Sequence, residues 1–330
     1  MRSLYAAAVV ALLACGLRGP AWASDQQSAG AWRPRGNVEF VVGAGPGGEN
    51  DRVARAIQQV LTKEHMVDSM TVLNRPGAGQ IIAMNYLTGK RGDANEIGLV
   101  SGSFINAVAR KGLTLTKQLT PLLKLFDAYQ CYFTNANSRF RTMKDVSDSL
   151  KTDPSSVTFA FPVGLGSPLH ISVVNVGKTV GAPVKKLVTV VFDSGSDVAA
   201  QAAGNHIDVG VTSLGSAMPL ILAGKLRMLG IAAPERQSGE LARFPTLREQ
   251  GLNVITANPY TVVVPNGLTP EQIAFWQHAL DKVLTDADFK RDLTQNFWTL
   301  KPLRYPATVK WMQDDYDENR TILGQLGLLQ

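Results

Sequence analysis

Hydrophobic and polar positions along the chain alternate between short β-rich runs and longer stretches with helical spacing. Val38, Phe40, Val41 and Val42 form a first apolar run, and Val53, Ile57, Val60 and Leu61 follow at the spacing of one helix face. Between them lies the turn Gly43-Ala44-Gly45-Pro46-Gly47-Gly48. The stretch predicts strand, tight loop, helix. Met70 to Leu73 predicts a second strand, and Asn74-Arg75-Pro76-Gly77-Ala78-Gly79 is a turn whose glycines and proline bar a regular element. Ile81, Ile82, Met84, Tyr86 and Leu87 predict a short helix, and Ile97 to Val100 a strand that ends in Ser101-Gly102-Ser103.

The same device recurs further on. Ser155 to Phe161 predicts a strand, followed by a second glycine loop with Gly164, Leu165, Gly166 and Ser167, and by a helix carrying His170, Val173, Val174 and Val180. Leu122, Leu123, Leu125, Phe126, Tyr129, Tyr132 and Phe133 predict a strand crossing between two lobes, and Tyr260 to Pro265 a return crossing. Leu187 to Phe192 and Ile207 to Val211 predict strands with Asp193 to Ser196 and Thr212 to Ser216 at their carboxyl ends. Thr269-Pro270-Glu271-Gln272 signals a helix start, with a capping Thr, Pro at the first position and Gln three residues after the cap. Ile273, Trp276, Leu280, Val283 and Leu284 form its buried stripe, and Val309, Met312, Tyr316 and Leu323 that of the last helix. Both helices read as structural.

This order predicts an α/β fold of two lobes, each a mostly parallel sheet flanked by helices, with the ligand cleft between them. Ligands gather at the carboxyl ends of parallel strands. The first lobe is expected from residues 24–123 and 232–330, the second from 124–231.

Met1 to Ala23 changes the picture of where the protein works. One early charge at Arg2, an apolar run from Leu4 to Leu13 and the ending Ala21-Trp22-Ala23 mark a secretory signal peptide, too short to remain as a membrane span. Leu12-Leu13-Ala14-Cys15 offers a competing lipoprotein cut, but the A-x-A site is cleaner and predicts a soluble mature chain from about Ser24. Losing Arg2 and Arg18 lowers the formal net charge from +6 to +4. With Lys and Arg dispersed, no basic face for nucleic acid is expected. Cys131 becomes the only cysteine, which excludes an internal disulfide even in an oxidising compartment.

The first loop also reads G-x-G-x-x-G, the dinucleotide fingerprint. Against nucleotide binding stand Pro46 inside the motif and the lack of an acidic residue at the end of a second strand about twenty residues on. Other enzyme signals are weak. His65, His170, His206 and His278 lack paired metal spacing, no Ser sits in a G-x-S-x-G elbow, and Cys131 lies in an apolar strand without a charged neighbour. No catalytic residue, metal or cofactor is expected; a secreted enzyme using the glycine loop for a nucleotide is the alternative from another class.

As ligand contacts the loops offer Gly43, Ala44, Gly45, Pro46, Gly47 and Gly48, then Ser101, Gly102 and Ser103. Gly164, Leu165, Gly166, Ser167 and His170 face them from the second loop, with Asp193, Thr212 and Ser213 beyond. Glycines let backbone come close, and the N–H groups of the following helix favour an anion. Each has a plainer reading. Ser167 reads also as the N-cap of its helix, His170 as a helix residue bonded to a neighbouring loop, Asp193 as a solvated turn residue, and Arg75 as a brace for its own turn.

FVVGAGPGGENDRVARAI, NRPGAG, GSPLH, and AGKLRMLGIAAPER followed by RFPTLREQG together resemble the extracytoplasmic substrate-binding proteins of tripartite tricarboxylate transporters, the Bug family. The resemblance runs over nearly the whole mature chain in order. It implies a type II-like periplasmic binding protein, a monomer that closes on a small organic carboxylate and presents it to a membrane transporter of one large and one small subunit. A binding protein that feeds a sensor is the neighbouring alternative.

The chain departs from that pattern in places. Family members often carry Pro and a large aromatic where Gly43 and Ala44 stand, Tyr-Lys/Arg-Gly where Phe192-Asp193-Ser194 stands, an acidic residue in place of Gln201, and a Trp near Pro259-Tyr260. A roomier pocket is implied, and Asp193 in place of a basic residue disfavours an extra anionic group nearby. The expected ligand has one carboxylate held by backbone donors and a bulkier or less charged remainder.

Overall fold

The computed structural model describes residues 32–330 apart from Val163. The expected leader, Met1 to Ala23, and the alternative cut at Cys15 lie outside the described residues. The first apolar run becomes β1 (Asn37–Val42), and β2 (Ser69–Asn74), β3 (Glu96–Ser101) and a long β4 (Leu119–Asn135) follow. Then come β5 (Thr158–Pro162), β6 (Val188–Phe192), β7 (Val209–Ser213) and β8 (Leu226–Ile231). β9 (Ala257–Pro265) and β10 (Thr299–Arg304) complete the set.

Successive side chains of a strand point to opposite faces. β1 therefore sends Val38, Phe40 and Val42 into one core and Val41 into another. Burial on both faces is why it reads as an unbroken hydrophobic run. β5 repeats the arrangement, with Phe159 and Phe161 on one side and Ala160 on the other. Helix Glu49–Lys63 covers the first sheet through Val53, Ile57, Val60 and Leu61, the stripe its spacing predicts.

β1 pairs in parallel with β2 and β3, and β3 runs antiparallel to β9. β5 pairs in parallel with β6 and β7. Each sheet thus has three parallel strands at its outer end, with antiparallel strands joining on the inner side through β3 and β7. β4 joins them: Leu119 to Tyr129 lie along β9, whereas Gln130 to Phe133 lie along β7. The crossing predicted around Leu122 to Phe133 is one 17-residue strand. β8 and β10 also pair antiparallel with β4. The chain returns at Thr256 and Ala257, where Gln130 N–H donates to the Thr256 carbonyl (3.3 Å) and Thr256 N–H to that of Ala232 (2.9 Å). β9 itself pairs only with β3 and β4, so the return is made just before it.

Residues after Ile231 pack with the second sheet. Leu247, Leu252 and Val254 share a core with Phe159, Phe161 and Val173. On the other side, helix Pro270–Thr285 starts as predicted, with a capping box between Thr269 and Gln272 and Pro at its first turn. Its Trp276 is fully buried and donates Nε1–H to the Ala94 carbonyl (3.0 Å). No helix among the described residues is long and apolar enough to cross a membrane.

Candidate functional site

Strand ends and helix starts meet in a cavity of about 390 Å³ between the two sheets. Five helices begin at its wall: Glu49–Lys63, Gly102–Arg110, Pro168–Thr179, Gly195–Ala203 and Leu214–Leu222. Their N-cap residues are Gly48, Ser101, Ser167, Ser194 and Ser213, and all four serines line the cavity. The first turns of a helix leave N–H groups without helical partners and carry the positive end of the peptide dipole. A β-strand followed at once by a helix, repeated around both sheets, is what brings these ends together.

Of the expected contacts, the cavity gathers Gly43 and Ala44, Ser101 and Ser103, Ser167, Asp193, Thr212 and Ser213. The rest of the first loop is turned inward to its own helix. Gly47, at φ +77°, donates its N–H to Asp51 Oδ2 (2.9 Å), and Gly48 donates to the Gly45 carbonyl (3.1 Å), so Gly45, Pro46, Gly47 and Gly48 do not line the cavity. Asp51 is buried, which raises its pKa, but hydrogen bonds from Arg55, Gly47 and Asn74 outweigh burial and hold it at about 2. Asn74 Nδ2 bonds both Asp51 Oδ1 and the Ala44 carbonyl (2.9 Å each), which ties the lining half of the loop to the clamped half.

Gly102 packs against β9, where a Cβ would approach Pro259 Cδ to 2.9 Å. Gly164 is not in the wall, and Leu165 and Gly166 line a neighbouring groove instead. His170 has a structural role. Its Nδ1 accepts the Gly166 N–H (3.0 Å), its own N–H donates to Ser167 Oγ (3.3 Å), and burial lowers its pKa. An imidazole that shapes the second loop from behind is withdrawn from the ligand.

Sequence reasoning missed Gln80, the last residue of the NRPGAGQ run. Gly77, Ala78, Gly79 and Gln80 all have positive φ, including two residues with side chains. Such strain persists only where surrounding contacts over-determine it. Here the buried Gln80 carboxamide accepts from Asn50 Nδ2 (3.3 Å) and the Ser101 N–H (3.2 Å) and donates to Ser101 Oγ (2.5 Å). A Cβ at Gly43 would run into this side chain. The four-residue stretch Gly77 to Gln80 was visible as turn chemistry, but its partners are 21 and 30 residues away.

Glu49, Gln130, Ser216, Asn258 and Tyr260 were also missed. Trp298 donates Nε1–H to Glu49 Oε1 (2.9 Å), and Asn258 Nδ2 donates to the Tyr260 hydroxyl (3.1 Å). Burial, with Glu49 beside it, pushes the Tyr260 phenol well above its ordinary range. Phe126 stacks on both Tyr260 and Trp298, with centroids 4.8 and 4.7 Å apart, so this end of the floor is a packed aromatic stack. The described lining contains two carboxylates, Glu49 and Asp193, and no Lys, Arg or His. Cys131 is buried, its thiol pushed up to about 12 by burial. No group of His, Cys, Asp and Glu suited to a metal exists among the described residues.

Known proteins share this architecture. Residues 53–328 match the model of the tripartite tricarboxylate transporter family receptor. A UPF0065 protein from the gbd 5′ region of Cupriavidus necator is 20% identical over 299 residues, 89% of each chain. A TctC solute-binding protein from Polaromonas superposes with a TM-score of 0.75 at 20% identity, covering 88% of this chain and 98% of its own. An R. palustris protein solved with adipate superposes at 0.73, with 19% identity and 88% and 97% coverage. With a family match over most of its length and the two-sheet binding-protein fold, the chain belongs to the tripartite tricarboxylate transporter family receptors, as a solute-binding protein and not an enzyme.

Proposed function

We propose that the protein captures a small organic carboxylate outside the cytoplasmic membrane, in the periplasm, and hands it to a transporter of one large and one small membrane subunit. The observation that carries this reading is the convergence of five helix N-termini on one cavity without a cationic side chain in its wall. Such a wall offers N–H groups and hydroxyls to an anion and needs no lysine or arginine. An adipate-bound relative of the same fold agrees with that chemistry.

Magnitudes explain why both lobes take part. One helix N-terminus is worth about 0.3 to 1 kcal/mol to an anion, whereas micromolar binding needs about 8 kcal/mol. Five ends together supply only part of that. Hydrogen bonds from Ser101, Ser103, Ser167, Thr212 and Ser213, made in a cleft closed to water, supply the rest. In this reading the lobes are residues 32–129 with 257–330, and 130–256, a division supported by the change of partner along β4 and by the packing of Leu247, Leu252 and Val254. The hinge is the hydrogen-bonded crossing at Gln130, Ala232 and Thr256, and ligand binding shifts the open and closed populations.

A thermal-shift screen of the mature monomer against aliphatic and aromatic carboxylates, amino acids and NAD tests the ligand class. Ligand at a hundred times its dissociation constant adds about 2.7 kcal/mol. A rise with NAD alone overturns the proposal. Small-angle scattering with the active acid tests closure, and an unchanged radius of gyration removes the hinge mechanism.

A further inference from the structure

Three side chains of the cavity wall present acceptors that no described residue supplies with a donor: Gln130, Asn258 and Asp193. Gln130 is 2% exposed and lines the cavity. Its Nε2 lies 3.4 Å from the Ala128 carbonyl, which fixes the orientation of the carboxamide: the reverse placement would set two oxygens against each other. Oε1 is then the remaining end, buried and without a hydrogen-bond partner. The Gln130 backbone is fixed at the crossing, its N–H donating to Thr256 and its carbonyl accepting from Ala232, so only its side-chain torsions are free to change.

Asn258 Oδ1 is likewise buried and without a partner, its Nδ2 being spent on the Tyr260 hydroxyl, and Asp193 is the third. It sits at the carboxyl end of β6, lines the same cavity and is exposed, so water solvates its carboxylate in the open cleft and no hydrogen bond or ion pair from a described residue reaches it. The neighbouring Ser194 hydroxyl is engaged with Asp197, donating to Oδ2 (2.7 Å) and accepting its N–H (3.1 Å). The other carboxylate of the wall, Glu49, is occupied by the Trp298 indole. A ligand with a second carboxylate brings no donor for Gln130 and places like charge near Asp193 and Glu49. A ligand with an N–H group on its remainder answers both.

We propose that the carboxylate this protein captures carries a nitrogen donor, an ammonium or an amide, which Asp193 and the Gln130 carbonyl oxygen receive. Asp193 is then the residue that sets selectivity between amino acids or amido acids and plain dicarboxylates. The proposal rests on the carboxylate-binding reading: the helix ends take the carboxylate and these acceptors take the other end.

Calorimetric titration of the mature chain with matched pairs tests it: succinate and 4-aminobutanoate, glutarate and 5-aminopentanoate, adipate and 6-aminohexanoate, with the common amino acids and their amides alongside. Nitrogen-bearing acids are expected to bind at least tenfold more tightly than dicarboxylates of the same length. In the Asp193→Asn variant, an exposed turn substitution whose folding is checked by its unfolding midpoint, that ratio falls to within threefold. Dicarboxylates that bind as well as or better than every nitrogen-bearing acid overturn the inference and leave carboxylate capture standing, as does a preference that Asp193→Asn does not change. Binding by none of these acids overturns both.

Discussion

Asp51→Asn is the substitution that most directly separates the loop's backbone from the chemistry that holds it. Asp51 lies in the first turn of helix Glu49–Lys63, buried, and accepts from Gly47 N–H, Arg55 Nε and Asn74 Nδ2, each at 2.9 Å. These donors bring its pKa from 3.8 to about 2, which at 1.36 kcal/mol per unit corresponds to about 2 kcal/mol of stability at neutral pH. A folded-state pKa below the unfolded one means that this stabilisation is complete well above pH 3.8 and is lost as the pH falls through 3.8 toward 2. Unfolding free energies of the parent and variant from urea titration should therefore differ by about 2 kcal/mol at pH 7, and by about 1 kcal/mol at pH 3. Because Asn74 also holds the Ala44 carbonyl, the loosened loop should weaken ligand binding as well. A gap below about 0.5 kcal/mol at pH 7, or one that stays constant down to pH 3, would refute the assignment of Asp51 as the ionised clamp of the loop.

Three further outcomes follow from individual contacts. A Cβ at Gly195 would strike Thr212 Oγ1 and Ser216 Oγ in the cavity wall, so Gly195→Ala should cost about 1 to 3 kcal/mol of stability from overpacking and lower ligand affinity in titration. Trp276→Ala removes a fully buried indole and its bond to the Ala94 carbonyl; a loss of about 3 to 5 kcal/mol in chemical unfolding is expected, and less than 1 kcal/mol would contradict its place in the core. Cys131, buried with its thiol raised to about 12, should resist a thiol reagent at pH 8 in the native protein and react fully in denaturant; rapid native labelling would show the packing around it to be open.

The sequence determined the local elements because their causes are local. Strand runs, glycine loops, the Thr269 capping box and the stripe around Trp276 depend on neighbours a few residues apart, and the two strand-loop-helix devices stand where their patterns put them. Continuous runs such as Phe159 to Phe161 announced strands, and the structure shows this one covered on both faces. β10, by contrast, contains Pro302 and polar residues, and only its pairing with β4 makes Thr299–Arg304 a strand.

Tertiary structure decided which of the loops' residues face the ligand. Gly47 and Gly48 end the glycine loop yet spend their N–H groups on Asp51 and Gly45, while Gln80, Gln130 and Tyr260 enter the wall from distant strands and turns. Hydrogen bonds of long sequence separation, such as Asn50 to Gln80 and Trp298 to Glu49 across 249 positions, leave no periodic trace in a single chain. Local propensity sets where a helix begins; only packing sets what its first turn points at.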